Sequence, residues 1–378
     1  MPSASTFSHA DLLRATALVG PAADLVLRPS HTVPGGWRIM AESKGGRLAG
    51  ADIAPSIGEV NPPCVVVPYF GFRGALDAVT ASAKEGGRVE VSATESHLTL
   101  RAGKSAAAVP CVLSTADTIS PRLAHVSQGE IVVSTQKLID AWQSASTIAR
   151  DRGESDVLSN VCLMHGDGRL TLMGCDRSRG TKITIGVLSS EGAAPWSVLI
   201  PSKAHIPDAD SDVVAIGPVG NGFLLSYPRL SVLLPTVDDP YPSHIAGFFD
   251  QIETSAIAGA TEVIVDPGTM KAALASVAYV ASDAGTAAIM RVGADGLLSA
   301  SGPRGSVEVG FMAHSTGDPV EFGLNPAVLR TLLSNATMDV RSLWFSGPMN
   351  PICILSSNEA GEKENMMFAP CRIPGGGA

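Results

Sequence analysis

Hydrophobic and polar positions follow one order along the chain, and that order occurs three times. Apolar residues spaced three and four apart predict amphipathic helices at residues 9–19, 135–147 and 267–281. Segments of alternating apolar and polar residues follow each helix, joined by glycine-containing turns such as GDG at 166–168 and ADG at 294–296. Alternation interrupted by such turns is typical of β-hairpins.

A second helix is predicted in two of the three copies, at residues 69–79 and 326–336. The middle copy has only a short turn at 202–206, because Pro207 cuts the helix short. A further run of alternating strands closes every copy, so each copy of about 125 residues has its strands and helices in the same order. We therefore expect an α+β fold with helices on one face of antiparallel sheets.

Three domains correspond to these three copies, and we place them at residues 1–128, 129–259 and 260–378. A chain of 378 residues exceeds the size that one hydrophobic core usually organises, which agrees with this division. The repeated order leaves a second interpretation open, in which ordinary α+β domains resemble one another by chance.

Composition excludes several classes of protein. With 45% hydrophobic and 17% charged residues, the chain can bury large apolar surfaces and is not a disordered protein. No window reaches about 18 uninterrupted apolar residues, and the N-terminal segment lacks the basic and apolar regions of a signal peptide. We expect a soluble protein of the cytoplasm.

Cysteine and acidic residues are the candidate ligands for a metal ion in this sequence. Six cysteines are spread singly, without a CxxC pair or a histidine at metal-ligand spacing. Zinc sites and disulfide scaffolds need such clustering, so we expect free thiols, no metal ion and no cofactor. Asp208, Asp210 and Asp212 have oxygen ligands that suit a hard cation, but an exposed loop after Pro207 explains them more simply.

Motifs of common enzymes are missing from the sequence. It has no phosphate-binding loop, no GxSxG nucleophile elbow and no HExxH metalloprotease motif. We therefore expect a non-catalytic protein. A hydrolase that uses a scattered serine, cysteine or histidine stays a third hypothesis with no motif to support it.

Charge is distributed unevenly between the helices and the rest of the chain. The sequence has 27 basic and 36 acidic residues and a net charge of −9, whereas the helix windows contain one cation each and only three carboxylates in all. If the helices share one face, that face suits a polyanion such as duplex DNA, contacted through its phosphates. The alternative interpretation is that these are ordinary Lys and Arg residues on solvent-exposed helix faces, with no role in binding. The cations are Arg14, Arg73, Lys137, Lys203, Lys271 and Arg330, and the carboxylates are Asp11, Asp77 and Asp140.

Several segments resemble one protein family, the sliding clamps formed by the bacterial DNA polymerase III beta subunit, over essentially the whole chain. The resemblance implies three similar domains per protomer, with antiparallel sheets outside and helices inside. It also implies that two protomers close head to tail into a homodimeric ring. The matching segments are VVVPYFGF at 65–72, GCDRSRG at 174–180, LLPTVDDPYPSHI at 233–245, FGLNPAVLRTLLSNA at 322–336 and MFAPCRIPG at 367–375.

The resemblance further implies a pocket between the second and third domains, which receives a short apolar peptide containing glutamine from replication and repair partners. A proline-lined groove with Met and Phe side chains suits such a peptide, since methionine adapts to several partners. The other interpretation is that Met367 and Phe368 are simply a buried last strand. The matching positions are Leu158, Cys175, Arg177, Ser178, Arg179, Gly180, Pro242, Ala246, Gly247, Pro351, Met367, Phe368, Pro370, Cys371, Arg372 and Ile373.

Contacts with DNA and between protomers are implied in the same way, by matching positions of the family. The DNA contacts correspond to Arg28, Arg150 and Arg152, with Lys137, Lys203 and Lys271 as helix candidates. The ring interface corresponds to Ala106, Ala107 and Ala108 in the first domain and to Tyr279 and Val280 in the third.

Departures from the family pattern alter these expectations. Cys175 and Gly180 stand where the motif usually has Thr and Leu, and Ala246 and Gly247 stand where it has Arg and Val, so we expect a shallower groove. Ala107 replaces a bulky aromatic residue, which predicts a looser dimer. A tail at residues 374–378 follows the usual ending and is expected to cover part of the pocket.

The leading hypothesis is therefore a sliding clamp that gives polymerases processivity without chemistry of its own. Its expected partners are duplex DNA, replicative and repair DNA polymerases, a clamp loader and a second copy of itself. The alternative is a divergent clamp-like paralogue or decoy, which binds partner peptides but does not support replication.

Overall fold

The contacts within the chain divide it into two compact units, which are described separately. Unit 1 comprises Met1–Thr135, Leu188–Ala194 and Ala204–Thr236, and unit 2 comprises Gln136–Val187, Pro195–Lys203 and Val237–Ala378. The structure is a computed structural model and describes residues 4–20, 22, 24–30, 33–34, 36–43, 47–55, 64–81, 87–113, 130–149, 157–176, 178–242, 245, 247, 249–250, 259–281, 287–347 and 350–372. The division into three domains stays a prediction.

Five α-helices have both ends in the described residues, close to the predicted positions. Asp266 and Asn325 begin two of them, since their side chains accept hydrogen bonds from the Thr269 N–H at 2.7 Å and the Ala327 N–H at 2.9 Å. Between residues 202 and 212, all of which are described, there is no helix, as the sequence predicts. The helices are α1 (His9–Val19), α2 (Tyr69–Thr80), α3 (Thr135–Ala149), α4 (Pro267–Val280) and α5 (Pro326–Asn335).

The strands are numbered in chain order. The first thirteen are β1 (Ala4–Ser8), β2 (Asp24–Pro29), β3 (Trp37–Glu42), β4 (Leu48–Ile53), β5 (Val65–Pro68), β6 (Arg88–Ala93), β7 (His97–Ala102), β8 (Ser105–Pro110), β9 (Val112–Leu113), β10 (Ile131–Ser134), β11 (Asn160–Gly166), β12 (Arg169–Cys175) and β13 (Arg179–Gly186). The others are β14 (Trp196–Pro201), β15 (Val213–Val219), β16 (Gly222–Tyr227), β17 (Leu230–Pro235), β18 (Thr261–Val265), β19 (Ala288–Val292), β20 (Gly296–Gly302), β21 (Gly305–Phe311), β22 (Ala313–Ser315), β23 (Val320–Leu324), β24 (Ser342–Phe345), β25 (Ile352–Ser357) and β26 (Lys363–Phe368).

Strand pairing follows one rule in the described residues: the strand that precedes a meander along the chain pairs with the first strand of a different meander. Three-strand meanders recur at β2–β4, β6–β8, β11–β13, β15–β17, β19–β21 and β24–β26, each preceded along the chain by one further strand. That preceding strand pairs with another meander: β1 with β6, β5 with β2, β10 with β15, β14 with β11, β18 with β24 and β23 with β19. All these pairs are antiparallel, which confirms the predicted α+β class.

Two longer sheets form where the last strands of two meanders pair. In unit 1, β17 pairs with β4, with Leu230 opposite Ala51, in a sheet ordered β10-β15-β16-β17-β4-β3-β2-β5-β9. In unit 2, β13 pairs with β26, with Gly180 opposite Met367, in a sheet ordered β14-β11-β12-β13-β26-β25-β24-β18-β22. Each unit also has a four-stranded sheet, β1-β6-β7-β8 in unit 1 and β21-β20-β19-β23 in unit 2.

Side chains from the helices and sheets build an apolar core in each unit. In unit 1, the buried rings of Phe7 and Trp37 meet edge to face with their centroids 5.7 Å apart. In unit 2, Leu274 of α4 and Leu329 of α5 are buried in one cluster with Phe368 of β26. No helix of the described residues is long and apolar enough to cross a membrane.

Candidate functional site

The turn between β12 and β13 contains the sequence motif CDRSRG and is organised by one carboxylate. Asp176 Oδ1 accepts hydrogen bonds from the Ser178 N–H at 2.7 Å, the Ser178 hydroxyl at 2.8 Å and the Arg179 N–H at 2.9 Å. The buried Arg179 donates from Nε to Asp176 Oδ2 at 3.0 Å. Asp and Ser suit this turn because their short side chains bond to nearby backbone groups.

The same turn is fastened to the end of β26. The Ala369 N–H donates to the Ser178 carbonyl at 2.7 Å, immediately after Met367 and Phe368. Together with the β13–β26 pairing, this bond brings the CDRSRG motif beside the C-terminal strand. Two segments that the sequence analysis assigned to one pocket are therefore neighbours in unit 2.

An apolar cluster rich in sulfur lies beside this turn, and we call it the groove cluster. Its centre is buried, whereas its surrounding residues are only partly buried and form an accessible rim. The central residues are Cys162, Met173, Cys175, Leu199, Phe249, Cys353 and Met367. The rim residues are Val157, Leu158, Met164, Val237, Tyr241, Ile245, Trp344 and Leu355.

The groove cluster contains three of the predicted pocket residues, Leu158, Cys175 and Met367, and a fourth, Gly180, contacts it. Pro242 and Gly247 lie in the segment that contributes Tyr241, Ile245 and Phe249. Ser178 and Arg179 belong to the adjoining turn, and the Pro351 carbonyl accepts a hydrogen bond from the Cys353 thiol. Arg177, Ala246 and Ile373 lie outside the described residues, as does the tail at 374–378.

Other predicted pocket residues lie away from the groove cluster. Phe368 follows Met367 on β26, so its side chain points to the opposite face and packs in the main core of unit 2. Cys371 pairs with β23 instead, where its N–H donates to the Gly323 carbonyl at 2.8 Å. Pro370 is half-buried and Arg372 is exposed.

The three central thiols are neutral packing groups. Burial raises the pKa of Cys162 to about 11 and the pKa values of Cys175 and Cys353 to about 12. The Cys175 thiol donates to the Asp176 carbonyl at 2.9 Å and the Cys353 thiol to the Pro351 carbonyl at 3.7 Å. Cys162 Sγ lies 3.7 Å from the Ser197 hydroxyl. All six cysteines are free, and no group of described residues has the arrangement of a metal site.

Phe249 is a central residue that the sequence analysis did not identify. A Cβ atom at Gly180 would lie 2.8 Å from Phe249 Cζ and 2.9 Å from Met367 Cε. Because Gly180 has no side chain, the ring and the thioether occupy this space. At the position where the clamp motif usually has Leu, this chain has a glycine, and an aromatic ring from another segment lies against it. The aromatic pair at 248–249 was the available sequence signal.

We predict that Gly180→Leu destabilises the chain by about 1–3 kcal/mol, because the added side chain overlaps Phe249 and Met367. In a protein that already has Phe249→Ala, Gly180→Leu is expected to lower the free energy of unfolding by less, because the Phe249 ring no longer fills the space beside residue 180. Urea unfolding midpoints of the wild type, the two single variants and the double variant measure this coupling.

Gly166→Leu is the matched control, because a Cβ there would have no atom within 4 Å. If the changes in the free energy of unfolding caused by Gly180→Leu and Phe249→Ala simply add, the Phe249 ring does not occupy the space that a side chain at residue 180 would need.

The six helix-window cations fall into two sets. Three form ion pairs: Arg14 with Asp210 at 3.1 Å, Arg73 with Asp77 at 3.2 Å, and Lys137 with Glu362 at 2.7 Å. The other three, Lys203, Lys271 and Arg330, are exposed and have no ion pair among the described residues. Arg28 is half-buried and donates to the Pro29 carbonyl at 3.4 Å, while Arg150 and Arg152 lie outside the described residues.

Comparison with known proteins relates this fold to one class. No protein-family model and no curated protein matches the sequence. Among solved structures, the chain is similar to the beta subunit of DNA polymerase from Streptococcus pyogenes, with a TM-score of 0.81 and 15% identity over 98% of this chain and 100% of that one. The DNA polymerase III beta subunit from Thermotoga maritima gives a TM-score of 0.75 and 16% identity over 98% and 99%.

A third similar structure is the beta sliding clamp of C. crescentus, with PEG bound to a candidate beta-motif tethering region. It gives a TM-score of 0.76 and 14% identity over 99% of this chain and 100% of that one. The chain has the sliding-clamp fold. This finding confirms the resemblance inferred from the sequence, and at these identities it is a likeness of fold alone.

The predicted interface residues of this clamp fold lie on β8 and α4. Ala106 and Ala108 are exposed and Ala107 is half-buried. Tyr279 is 68% exposed, and the Arg304 guanidinium lies over its ring, 5.5 Å from the centroid. Val280 is buried, so its side chain belongs to the core of unit 2.

Lys137 fastens α3 of the clamp fold to the hairpin of β25 and β26. Its ammonium reaches Glu362, which also accepts from Asn358 Nδ2 at 2.8 Å and from the Gly186 N–H at 3.1 Å. Burial opposes ionisation of Glu362, but these hydrogen bonds and the charge of Lys137 outweigh it and lower the pKa. Lys137, predicted to contact DNA, therefore also has a structural role.

Lys137→Ala is expected to change how stability depends on pH. A carboxyl with a lowered folded-state pKa stabilises the fold above its unfolded pKa, and that contribution is lost as pH falls through the folded pKa. Without Lys137 the pKa of Glu362 moves toward its ordinary value of 4.5, so acid unfolding begins at higher pH. At pH 7 the loss is about 1 kcal/mol or less, because Lys137 is half exposed.

Urea midpoints measured across the acidic range test this expectation. The control is Lys271→Ala, which removes an exposed cation without an ion pair among the described residues. Superimposable acid profiles for Lys137→Ala and wild type would contradict the role given to Lys137.

Proposed function

We propose that this chain is a DNA sliding clamp, a non-catalytic protein that encircles duplex DNA and tethers polymerases and other replication or repair proteins in the cytoplasm. The single observation that carries the proposal is the clamp fold over the full length of the chain. The open strand edges, the cations that have no ion pair among the described residues, and the groove cluster each support one part of it.

Ring closure is supported by the rule of strand pairing. Within the chain, the last strand of one meander pairs with the last strand of another: β4 with β17 and β13 with β26. Two meanders end without such a partner in the described structure, at β8 and at β21. The same rule applied between two copies pairs β8 of one with β21 of the other, head to tail.

These two strands also offer long sheet edges for such a contact. Strands β9 and β22, at other edges, have two and three residues. Strands β10, β14 and β23 also lie at sheet edges, but each is already paired at one residue with another segment of the chain. The paired residues of those segments are Ser189, Val237 and Cys371, respectively. By contrast, β8 and β21 have six and seven residues, and an open strand edge offers unpaired N–H and C=O groups to another chain.

The action on DNA is topological in this proposal. A closed ring leaves duplex DNA only when an interface opens, so weak phosphate contacts are enough and permit sliding. Lys203, Lys271 and Arg330, which have no ion pair among the described residues, are available for such contacts. The ion pairs of Arg14, Arg73 and Lys137 with carboxylates would have to break first. A clamp loader is implied, because a closed ring has to be opened before it can be placed on DNA.

The groove cluster is the proposed site for partner peptides. It combines a buried apolar centre with an accessible rim, and an apolar segment of a polymerase or repair protein would cover that rim. Methionines such as Met164 and Met367 can adapt to different side chains. Tethering through this groove keeps a polymerase at high effective concentration near its template.

Retention on circular DNA tests the proposal. Loaded onto nicked circular DNA by the loader of the same genome, the protein is expected to stay bound at salt concentrations that break phosphate contacts, and to leave when the circle is cut. The measurement is the amount of protein that co-elutes with DNA before and after linearisation.

Equal loss from circular and linear DNA would overturn the encircling mechanism. If the protein also bound polymerase peptides, that result would favour the clamp-like decoy.

A further inference from the structure

One side of the groove cluster comes from outside the sheet, and we call it the groove wall. It consists of Tyr241, Ile245 and Phe249, which follow one another at intervals of four residues. Ile245 and Phe249 are helical, and side chains four residues apart lie on one face of a helix. The segment that follows β17 therefore turns an apolar face toward the groove cluster.

Two alternate residues of β13 receive this wall. Gly180 and the side chain of Lys182 face the same side of the sheet, because side chains alternate along a strand. Phe249 fills the space beside Gly180, where a Cβ atom would lie 2.8 Å from the ring. Lys182 Nζ forms an ion pair with Oδ1 of Asp250, the residue after Phe249. An apolar contact and an ionic contact at neighbouring positions thus hold the groove wall on β13.

The ion pair lies at the boundary between the sheet and the solvent. The side chain of Lys182 is only 17% exposed, whereas that of Asp250 is 66% exposed. Within the sheet, Lys182 is paired with Met173 on β12 and with Asn365 on β26, and both of these residues are buried. A mostly buried ammonium group loses much of its hydration, so it depends on a counter-charge more than an exposed lysine does. Asp250 supplies that counter-charge.

Another ion pair of unit 2 shows the contrast. The side chains of Arg341 and Asp339 are 77% and 69% exposed, and the two residues lie two positions apart in the chain. Water screens such a pair, so breaking it changes little. Lys182 and Asp250 are 68 residues apart, so their contact determines where one segment lies on another.

A wall that is fixed in advance favours the binding of a partner. Tyr241 and Ile245 belong to the rim of the groove cluster, which a partner segment would cover. If the wall leaves the sheet for part of the time, the measured affinity falls with the fraction of molecules in which the wall is in place. Ordering the wall during binding also costs conformational entropy, which a preformed wall avoids.

We propose that Lys182 is a positioning residue of the groove. Its ion pair with Asp250 holds the groove wall on β13 in the free protein, so that the groove is formed before a partner segment binds. This inference rests on the proposed peptide-binding function. It gives a role to two charged residues beside an apolar site, neither of which is among the pocket positions matched to the family.

Peptide binding to variants of the full chain tests the inference. The probe is a synthetic peptide with the sequence of the C-terminal segment of the replicative polymerase from the same genome. Asp250→Asn is expected to weaken its binding about three- to tenfold, because the mostly buried ammonium of Lys182 loses its counter-charge and the wall is released. Lys182→Met breaks the same ion pair, so the double variant should bind no more weakly than Asp250→Asn alone. Lys182→Arg keeps the cation and should bind more tightly than Lys182→Met.

Amide hydrogen exchange of the free protein gives a second readout, which a general structural role would not share. In Asp250→Asn, exchange should become faster in residues 245–250 and stay unchanged in β13 and β26, which are held together by backbone pairing. The matched control is Asp339→Asn, which makes the same change in an exposed ion pair and should alter neither exchange in the wall nor peptide binding. Faster exchange throughout β13 and β26 in Asp250→Asn would show that the ion pair supports the whole sheet, and it would overturn the positioning role.

Binding results separate this inference from the function on which it rests. If wild type and Asp250→Asn bind the peptide equally well, the groove still binds peptides and only the role of Lys182 is overturned. Additive losses in the double variant would overturn that role as well, because the two residues would then act independently. If wild type does not bind the peptide, the peptide-binding function fails and the inference fails with it.

Discussion

Backbone hydrogen bonding between the last strands of different meanders is the interaction on which the rest of this structure depends. It joins β4 to β17 in unit 1 and β13 to β26 in unit 2, so strands distant in sequence share one sheet. Each such junction removes two open edges, which would otherwise invite association. The proposed ring would close at β8 and β21, the two meander ends that have no such partner in the described structure.

The groove cluster depends on the second of these junctions. Because β13 lies beside β26, Gly180 faces Met367, and the Asp176 turn reaches the backbone after Phe368. Strand β26 is held from its other end as well, where Glu364 is fully buried and accepts from the Thr337 and Met338 N–H groups at 2.8 and 2.9 Å. Burial raises the pKa of Glu364, and these hydrogen bonds partly offset that effect. Polar bonds at both ends thus fix the strand that supports the groove cluster.

Much of the fold could be predicted because its signals are local. Periodicity and the Asp-Pro and Asn-Pro pairs predicted the helices, and the GDG turn was found where Asp167 and Gly168 adopt the positive φ angles of a tight hairpin. The exchange of strands between meanders has no local signal, since it depends on pairing between distant segments. The same limit applies to the ion pair of Lys137 with Glu362, which are 225 residues apart.

The candidate site was predicted only in part for a related reason. Family positions led to Leu158, Cys175 and Met367, but the partner of Gly180 is Phe249, which comes from a different segment. Position in a motif also did not reveal that Phe368 belongs to the main core of unit 2 while Met367 belongs to the groove cluster. The alternation of side chains along β26 separates them, and that distinction requires the strand assignment.

Electron cryomicroscopy of the purified chain at micromolar concentration tests the central claim most directly. The account predicts a ring of two protomers around an open centre, in which β8 of each copy runs antiparallel to β21 of the other. A strict monomer, or a dimer joined through any other surface, would contradict it.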